Sequence, residues 1–316
     1  MSDQMNFAEA LLGPGIGSNG KLARIDALID WQPLSEIVAG LRTAQTGRRA
    51  YASLAMLKAL YLQALYDLSD PGLEEALLDR LSFRRFCGFA LDGTTPDETT
   101  ICRFRAAIGE AGMMQACFAA INCQLERRGV IVKKGTLMDA TIIAATHNPP
   151  PKASGMGAAH RREPGADWTN KNGKSFFGYK LHIGMDETSG IVRRAVFTPA
   201  RTSDSEAADS LISGDEAAVY ADRAYEHKGR RKRLKAQGIK DRIMHRRHKY
   251  IAALPPWQQR RNDLIARRRA PVEAVFSALK RLYGMARTRC HSIARNETDI
   301  FARLTVFNLR RASRLA

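Results

Sequence analysis

The chain changes its hydrophobic period part-way along. Over the first 130 residues apolar positions recur at helical spacing, as in "SLAMLKALYLQALYDL" (53–68), with Ser53 placed to cap it. "SDPGLEEALLDRL" predicts a second helix, with Asp70 as cap, Pro71 at the first helical position and acids in the first turn. In "TPDETTICRFRAAIGEAG", Thr95 and Glu98 have capping-box spacing around Pro96. Short helices joined by tight turns predict a helix-turn-helix-like module over 1–130.

After Gly129 the pattern turns to strands. "TLMDATII" is a β-branched stretch, and "FFGYKLHIGMD" and "IVRRAVFTPA" flank "ETSG" as a hairpin would. Between them, residues 148–175 are rich in Gly, Pro and polar side chains and predict a flexible loop. A short helix at 203–213, a buried strand in "EAAVYADRAY", a basic helix in "HKGRRKRLKAQG", a strand in "IKDRIMH" and a long helix over 257–283 follow. The order β-β-β-α-β-α-β-α predicts, for 131–316, an α/β domain: an RNase H-like mixed sheet flanked by helices, preceded by the all-α region.

Charge sharpens this division. The chain carries 50 Lys and Arg against 32 Asp and Glu; residues 1–130 hold 13 basic and 15 acidic side chains, residues 131–316 hold 37 and 17. An excess of that size in one region attracts a polyanion, and counterion release makes nucleic acid the natural partner. The longest apolar run, 54–65, is short and carries Lys58, so no membrane span is expected. The N-terminus does not read as a signal peptide, and five cysteines without a CxxC pair predict reduced thiols and a cytoplasmic protein.

Acids in this basic region therefore stand out. Asp139 interrupts the apolar "TLMDATII", where an unpartnered carboxylate is costly. Asp222 closes the apolar strand of "VYADRAY", the end at which α/β sheets hold ligands. Glu273 lies alone in "RRRAPVEAVFSALKR", with Lys280 seven positions on along the same helical face. Each has a plainer reading: strand-end turns for the aspartates, and a surface salt bridge to Arg269 for Glu273. Pro271 bears on that last reading, because starting the helix at its first position would leave Arg269 outside it. Val272, Val275, Leu279 and Leu282 form the expected apolar stripe. Converging carboxylates supply the hard oxygen ligands of magnesium. Phosphate contacts are expected from Arg230, Arg231, Lys232, Arg233 and Lys235, and Trp168 is placed either to stack on an unpaired base or to anchor its loop.

The order Asp139, Asp222, Glu273, with Arg269 four before the glutamate and Lys280 seven after it, resembles the DDE transposases of bacterial insertion sequences. "MLKALYLQALYDLSDPGLEEALLDRLSFRRFCGF", "PDETTICRFR", "WTNKNGKSFFGYKLHIGMDETSGIV" and "ADRAY" narrow the resemblance to the insertion-sequence-five family, over residues 25 to 312. It implies that Asp139, Asp222 and Glu273 bind two Mg2+ ions, which Mn2+ can replace. Arg267, Arg268, Arg269 and Lys280 would meet DNA or position the glutamate. It further implies cleavage of double-stranded DNA at terminal inverted repeats, transfer to target DNA, and a homo-oligomer, a dimer on paired ends. Residues 1–130 would then serve DNA-end binding and oligomerisation. Two departures, Ala266 where relatives carry Tyr and only 51 positions between Asp222 and Glu273, argue against a hairpin route through that Tyr. A silent DNA-binding relic or repressor, and a nuclease without strand transfer, share the fold and are the alternatives.

Overall fold

The computed structural model describes residues 17–41, 50–147, 163, 165–171, 173–247 and 253–315. They fall into two units: residues up to 124 with 297–314, and residues 125–296. The boundary expected at 130 had left 297–314 with the sheet; by contact they group with the first unit.

The first unit contains helices α1 (Gly20–Leu28), α2 (Gln32–Val38), α3 (Ser53–Tyr66), α4 (Asp70–Asp79), α5 (Leu81–Cys87), α6 (Glu98–Glu110) and most of α7 (Met113–Arg127). All three expected caps move. Ala52 precedes α3 without a side-chain cap, so Ser53 is already helical. Ser69 rather than Asp70 caps α4, accepting from the Gly72 N–H at 3.1 Å. Asp97 rather than Thr95 caps α6, accepting from the Thr100 N–H at 2.7 Å, while the Tyr51 hydroxyl donates to the Thr95 carbonyl at 2.7 Å and holds it outside. Arg84 is buried and donates to the carbonyls of Leu77 and Leu91, both at 2.8 Å, which ties down the turn after α5.

The second unit is a six-stranded mixed sheet with flanking helices. Its strands are β1 (Thr136–Ala144), β2 (Asp167–Lys171), β3 (Lys174–Asp186), β4 (Val192–Pro199), β5 (Ala218–Ala221) and β6 (Lys240–Ile243). The order is β2-β3-β1-β5-β6, with β4 paired to β3. β1, β3 and β4 are antiparallel neighbours, whereas β1, β5 and β6 run parallel, as the helical crossovers between them require. The helices are α8 (Asp204–Ala207), α9 (Lys228–Ala236), α10 (Pro256–Leu282) and the start of α11 (Ile293–Ala312).

β2 corrects part of the expected loop. "DWTNK" lacks an apolar alternation, yet it pairs with residues 174–178 of β3; residues 148–162 of that expected loop lie outside the described residues. Gly178 sits where β1, β2 and β3 meet, at φ +155°, and a Cβ there would collide with the Ile143 carbonyl. Met138, Val219, Ala221, Tyr225, Leu234 and Ile243 form a buried cluster beneath α9.

Pro271 does not start the long helix. It lies inside the 27-residue α10, whose buried side is Ile265, Val272, Val275, Phe276 and Leu279. Leu282, expected in that stripe, is 55% exposed at the helix end. No helix of the described residues is long and apolar enough to cross a membrane.

Candidate active site

Parallel pairing of β1 with β5 sets Thr136 beside Val219 and Leu137 beside Tyr220. Asp139 and Asp222 each lie two residues beyond the last of these pairs, near enough for the Asp222 charge to act on Asp139. Asp222 stands just beyond β5, where its carboxylate accepts from the Ala224 N–H at 2.8 Å and caps the turn Arg223–Tyr225. Asp139 is partly buried, and its Oδ1 accepts from the Ala140 N–H at 2.8 Å.

Arg269 reaches this pair from α10, which packs against both strands. Its Nη2 lies 3.1 Å from Asp139 Oδ2 and donates to the Met138 carbonyl at 3.3 Å. The plainer reading of Glu273, a surface salt bridge to Arg269, gives way to an ion pair between Arg269 and the sheet. Since Arg269 remains helical, Glu273 follows one turn later on the same side, exposed to solvent. Among the described residues the three carboxylates do not form a ready-made group of metal-ligating side chains.

Burial raises the Asp139 pKa. Arg269 and the Ala140 N–H oppose the rise, and the negative charges of Asp222 and Asp204 add to it. The buried Tyr225 hydroxyl is likewise held well above its ordinary value, by burial and then by Asp204, Asp139 and Asp222. Three acids, Asp204, Asp139 and Asp222, and one arginine, Arg269, thus all act on the Tyr225 hydroxyl.

Asp204 and its partners were not among the expected site residues. Lys180 Nζ lies 3.1 Å from Asp204 Oδ1 and donates to the Thr202 carbonyl at 2.8 Å. His182, wholly buried, contacts Thr198 Oγ1 through Nε2 at 3.1 Å, and burial pushes its pKa down to about 4. Both side chains come from β3, opposite Ile142 and Ala140 of β1. A signal existed: two basic residues within the otherwise apolar "GYKLHIGM" need acceptors.

The expected phosphate contacts divide. Arg230 is 2% exposed and directs its guanidinium to Asp209, the Tyr225 carbonyl and the Ser205 carbonyl, which removes it from any DNA-facing surface. Arg231 is engaged by Asp241 and Glu226 and by the carbonyls of Ile243 and Met244. Lys232 and Lys235 are exposed on α9; Arg233 is exposed and pairs with Asp209. On α10, Arg267 is exposed, and Arg268 is exposed but donates to Glu187 at 2.7 Å. Lys280 is half-buried, with its pKa lowered by burial and by Lys171. Trp168 lies on β2 with its ring 5.5 Å from that of Phe177, the anchoring arrangement.

Residues 132–309 match the family model described as a transposase DDE domain. The chain belongs to the DDE transposases. Residues 14–107 of the transposase match a second model, described as a transposase domain (DUF772). No solved structure matches the chain. The transposase is an enzyme that cleaves and joins DNA strands, and its family works with divalent metal ions. The residues fit such an ion. Asp139 and Asp222 offer hard oxygens, and the repulsion that Asp222 and Asp204 exert on Asp139 is offset by Arg269, a balance that a bound cation improves.

Proposed function

We propose that this transposase cleaves double-stranded DNA at terminal inverted repeats and transfers the strand to target DNA, using Mg2+ held by Asp139, Asp222 and Glu273. The observation that supports the reading is the Arg269–Asp139 ion pair, which anchors α10 to β1 beside the charge of Asp222. When bound, two Mg2+ ions, or Mn2+ in their place, would make the attacking oxygen more nucleophilic and stabilise the leaving one.

The chain's own residues do the rest. Asp139 and Asp222 are fixed by backbone N–H donors before any ligand arrives. Arg269 sets the helix register that carries Glu273 toward them, so the glutamate can swing in from solvent without remodelling the sheet. Exposed Lys232, Lys235 and Arg267 can neutralise backbone phosphates, and half-buried Lys280 adds charge on the glutamate's side. Displacement at phosphorus in this scheme needs no protein nucleophile, and Asp139, partly buried, would serve as a ligand. The first unit recognises the element's ends and mediates a dimer on paired ends. The chain acts in the cytoplasm, as a member of the insertion-sequence-five family.

Cleavage of supercoiled plasmid carrying the element, with Mg2+ or EDTA, tests the reading. Cutting that requires Mg2+ and disappears in Asp139→Asn and Glu273→Gln, while DNA binding persists, is expected. Tight binding without cutting under any metal would refute it and favour a silent repressor; cutting without joined products would favour a plain nuclease.

A further inference from the structure

Another group of potential ligands lies beyond the far end of β1. His147, Glu163 and His291 bring one side-chain donor atom each to within 4.8 Å of one another, the one such group of His, Cys, Asp or Glu among the described residues. β1 runs extended from Asp139 to its end at Ala144, about 16 Å, and His147 lies three residues further on. The catalytic acids therefore take no part in it.

Three separate stretches build this group. β1 ends at Ala144, and residues 286–288 continue the sheet beside it: the Ala144 N–H donates to the Ala286 carbonyl at 3.1 Å, and the Thr288 N–H to the Ala144 carbonyl at 2.9 Å. The Thr146 hydroxyl then donates to the Thr288 carbonyl at 2.7 Å, which keeps the two stretches together. Asn296 grips the backbone of Cys290 in both directions, each bond 2.9 Å, and so fixes the residue before His291. The imidazoles of His147 and His291 consequently lie 4.8 Å apart, centroid to centroid.

Glu163 enters from below. It is fully buried, and its Oε1 accepts from the His147 N–H at 2.9 Å and lies 3.2 Å from His147 Nδ1. Its Oε2 is 3.5 Å from the Tyr179 hydroxyl. A buried carboxylate facing two imidazoles, backed by a phenol, has the composition of a transition-metal site: mixed N and O ligands, with an outer donor orienting the acid. The spacing agrees. Zn2+ ligand bonds of about 2.0–2.2 Å in tetrahedral array put ligand atoms about 3.3–3.6 Å apart. The Nδ1 to Oε1 separation of 3.2 Å is close to such an edge. His291 is exposed, so its ring can turn the remaining distance, and solvent can fill the fourth position.

We propose that His147, Glu163 and His291 form a second metal site, selective for a divalent transition-metal ion of the zinc type over Mg2+. Its role is a clip joining the exit of β1, the segment holding Glu163 and the turn that leads into α11. Magnesium prefers all-oxygen ligands and keeps its waters, so the two imidazoles separate this site chemically from the catalytic acids.

Cobalt is the probe. Untagged full-length protein carrying Asp139→Asn and Glu273→Gln, stripped with EDTA, is titrated with Co2+ and followed by its visible d–d absorption. The expected result is a band saturating at one equivalent, displaced by Zn2+ and not by excess Mg2+. His291→Gln should weaken binding by roughly 100-fold or more, and Tyr179→Phe, which spares the ligands, by roughly 10–100-fold. Zn2+ should also raise the melting temperature of the parent and leave that of His291→Gln unchanged. Absence of a band, or a band that survives both His291→Gln and His147→Gln in folded protein, would overturn the site and leave a hydrogen-bonded His147–Glu163 pair.

Discussion

Arg269 decides what holds the long helix to the sheet, and its pairing can be measured. Its guanidinium lies 3.1 Å from Asp139, with side-chain exposures of 12% and 25%. At an effective dielectric constant of about 20, unit charges that close attract by about 5 kcal/mol. Partial desolvation of both groups offsets much of this, leaving an expected coupling of about 1.5–3 kcal/mol. An exposed Arg269–Glu273 pair one helical turn apart would give only about 0.3–0.5 kcal/mol. Two double-mutant cycles in metal-free buffer separate the cases, Arg269→Met with Asp139→Asn and Arg269→Met with Glu273→Gln. Stability would be read from urea unfolding in a Trp31→Phe, Trp257→Phe background, where Trp168 alone reports on the sheet. Arg269→Met by itself should destabilise most, because it strands a part-buried carboxylate, and Asp139→Asn should restore much of the loss. Coupling confined to the Glu273 cycle would refute this account.

The basic helix α9 should behave as two populations. Arg230→Gln should cost about 1–3 kcal/mol by taking the donor from the Tyr225 and Ser205 carbonyls, since Asp209 keeps Arg233, and this would be seen as a lowered urea midpoint. Lys232→Gln should leave stability within about 0.5 kcal/mol and reduce the slope of log K against log salt by about 1 if that lysine neutralises one phosphate. Acid should weaken the sheet unit through Asp215, whose pKa is brought down to about 2, burial being outweighed by hydrogen bonds and charge from Lys133 and Arg193. A depressed carboxyl stabilises above its unfolded value near 3.8 and loses that contribution as pH falls toward about 2. Asp215→Asn should therefore flatten the stability profile over that window, by less than the full shift implies because the group is partly exposed.

The sheet was readable because its strands are apolar enough to stand out from the helices, and Asp139 and Asp222 drew notice because one interrupts such a strand and the other follows one. Where the expectation slipped, a local rule met a stronger partner. Proline fixes the neighbourhood of a helix start but not the capping residue, so Ser69 and Asp97 displaced Asp70 and Thr95. Pro271 resembled a helix start, yet the apolar contacts of Ile265 on one side and Val272 and Val275 on the other hold α10 continuous through it. β2 escaped notice because it is stabilised by pairing with β3 rather than by its own composition. A run of basic residues cannot declare which members face inward, and Arg230 was committed by Asp209, 21 positions earlier. His147, Glu163 and His291 share no spacing at all, since β1 and residues 286–288 bring them together only in the fold.

Asp139 and Asp222 each follow by two residues the last parallel pair of β1 and β5, Leu137 with Tyr220, so the pairing of those two strands brings the acids to one region of the sheet. The chain between them can consequently vary in length without moving either acid. A grafted segment at the β3–β4 turn, where Gly190 has φ +67° and Asp186 already closes the turn, should leave the pair undisturbed. Insertions ahead of α10 would act differently: the glutamate's place depends on the apolar seat of Val272, Val275 and Leu279 and on the Arg269–Asp139 ion pair, and a helix pulled out of register there would shift Glu273 while the two aspartates stayed in place.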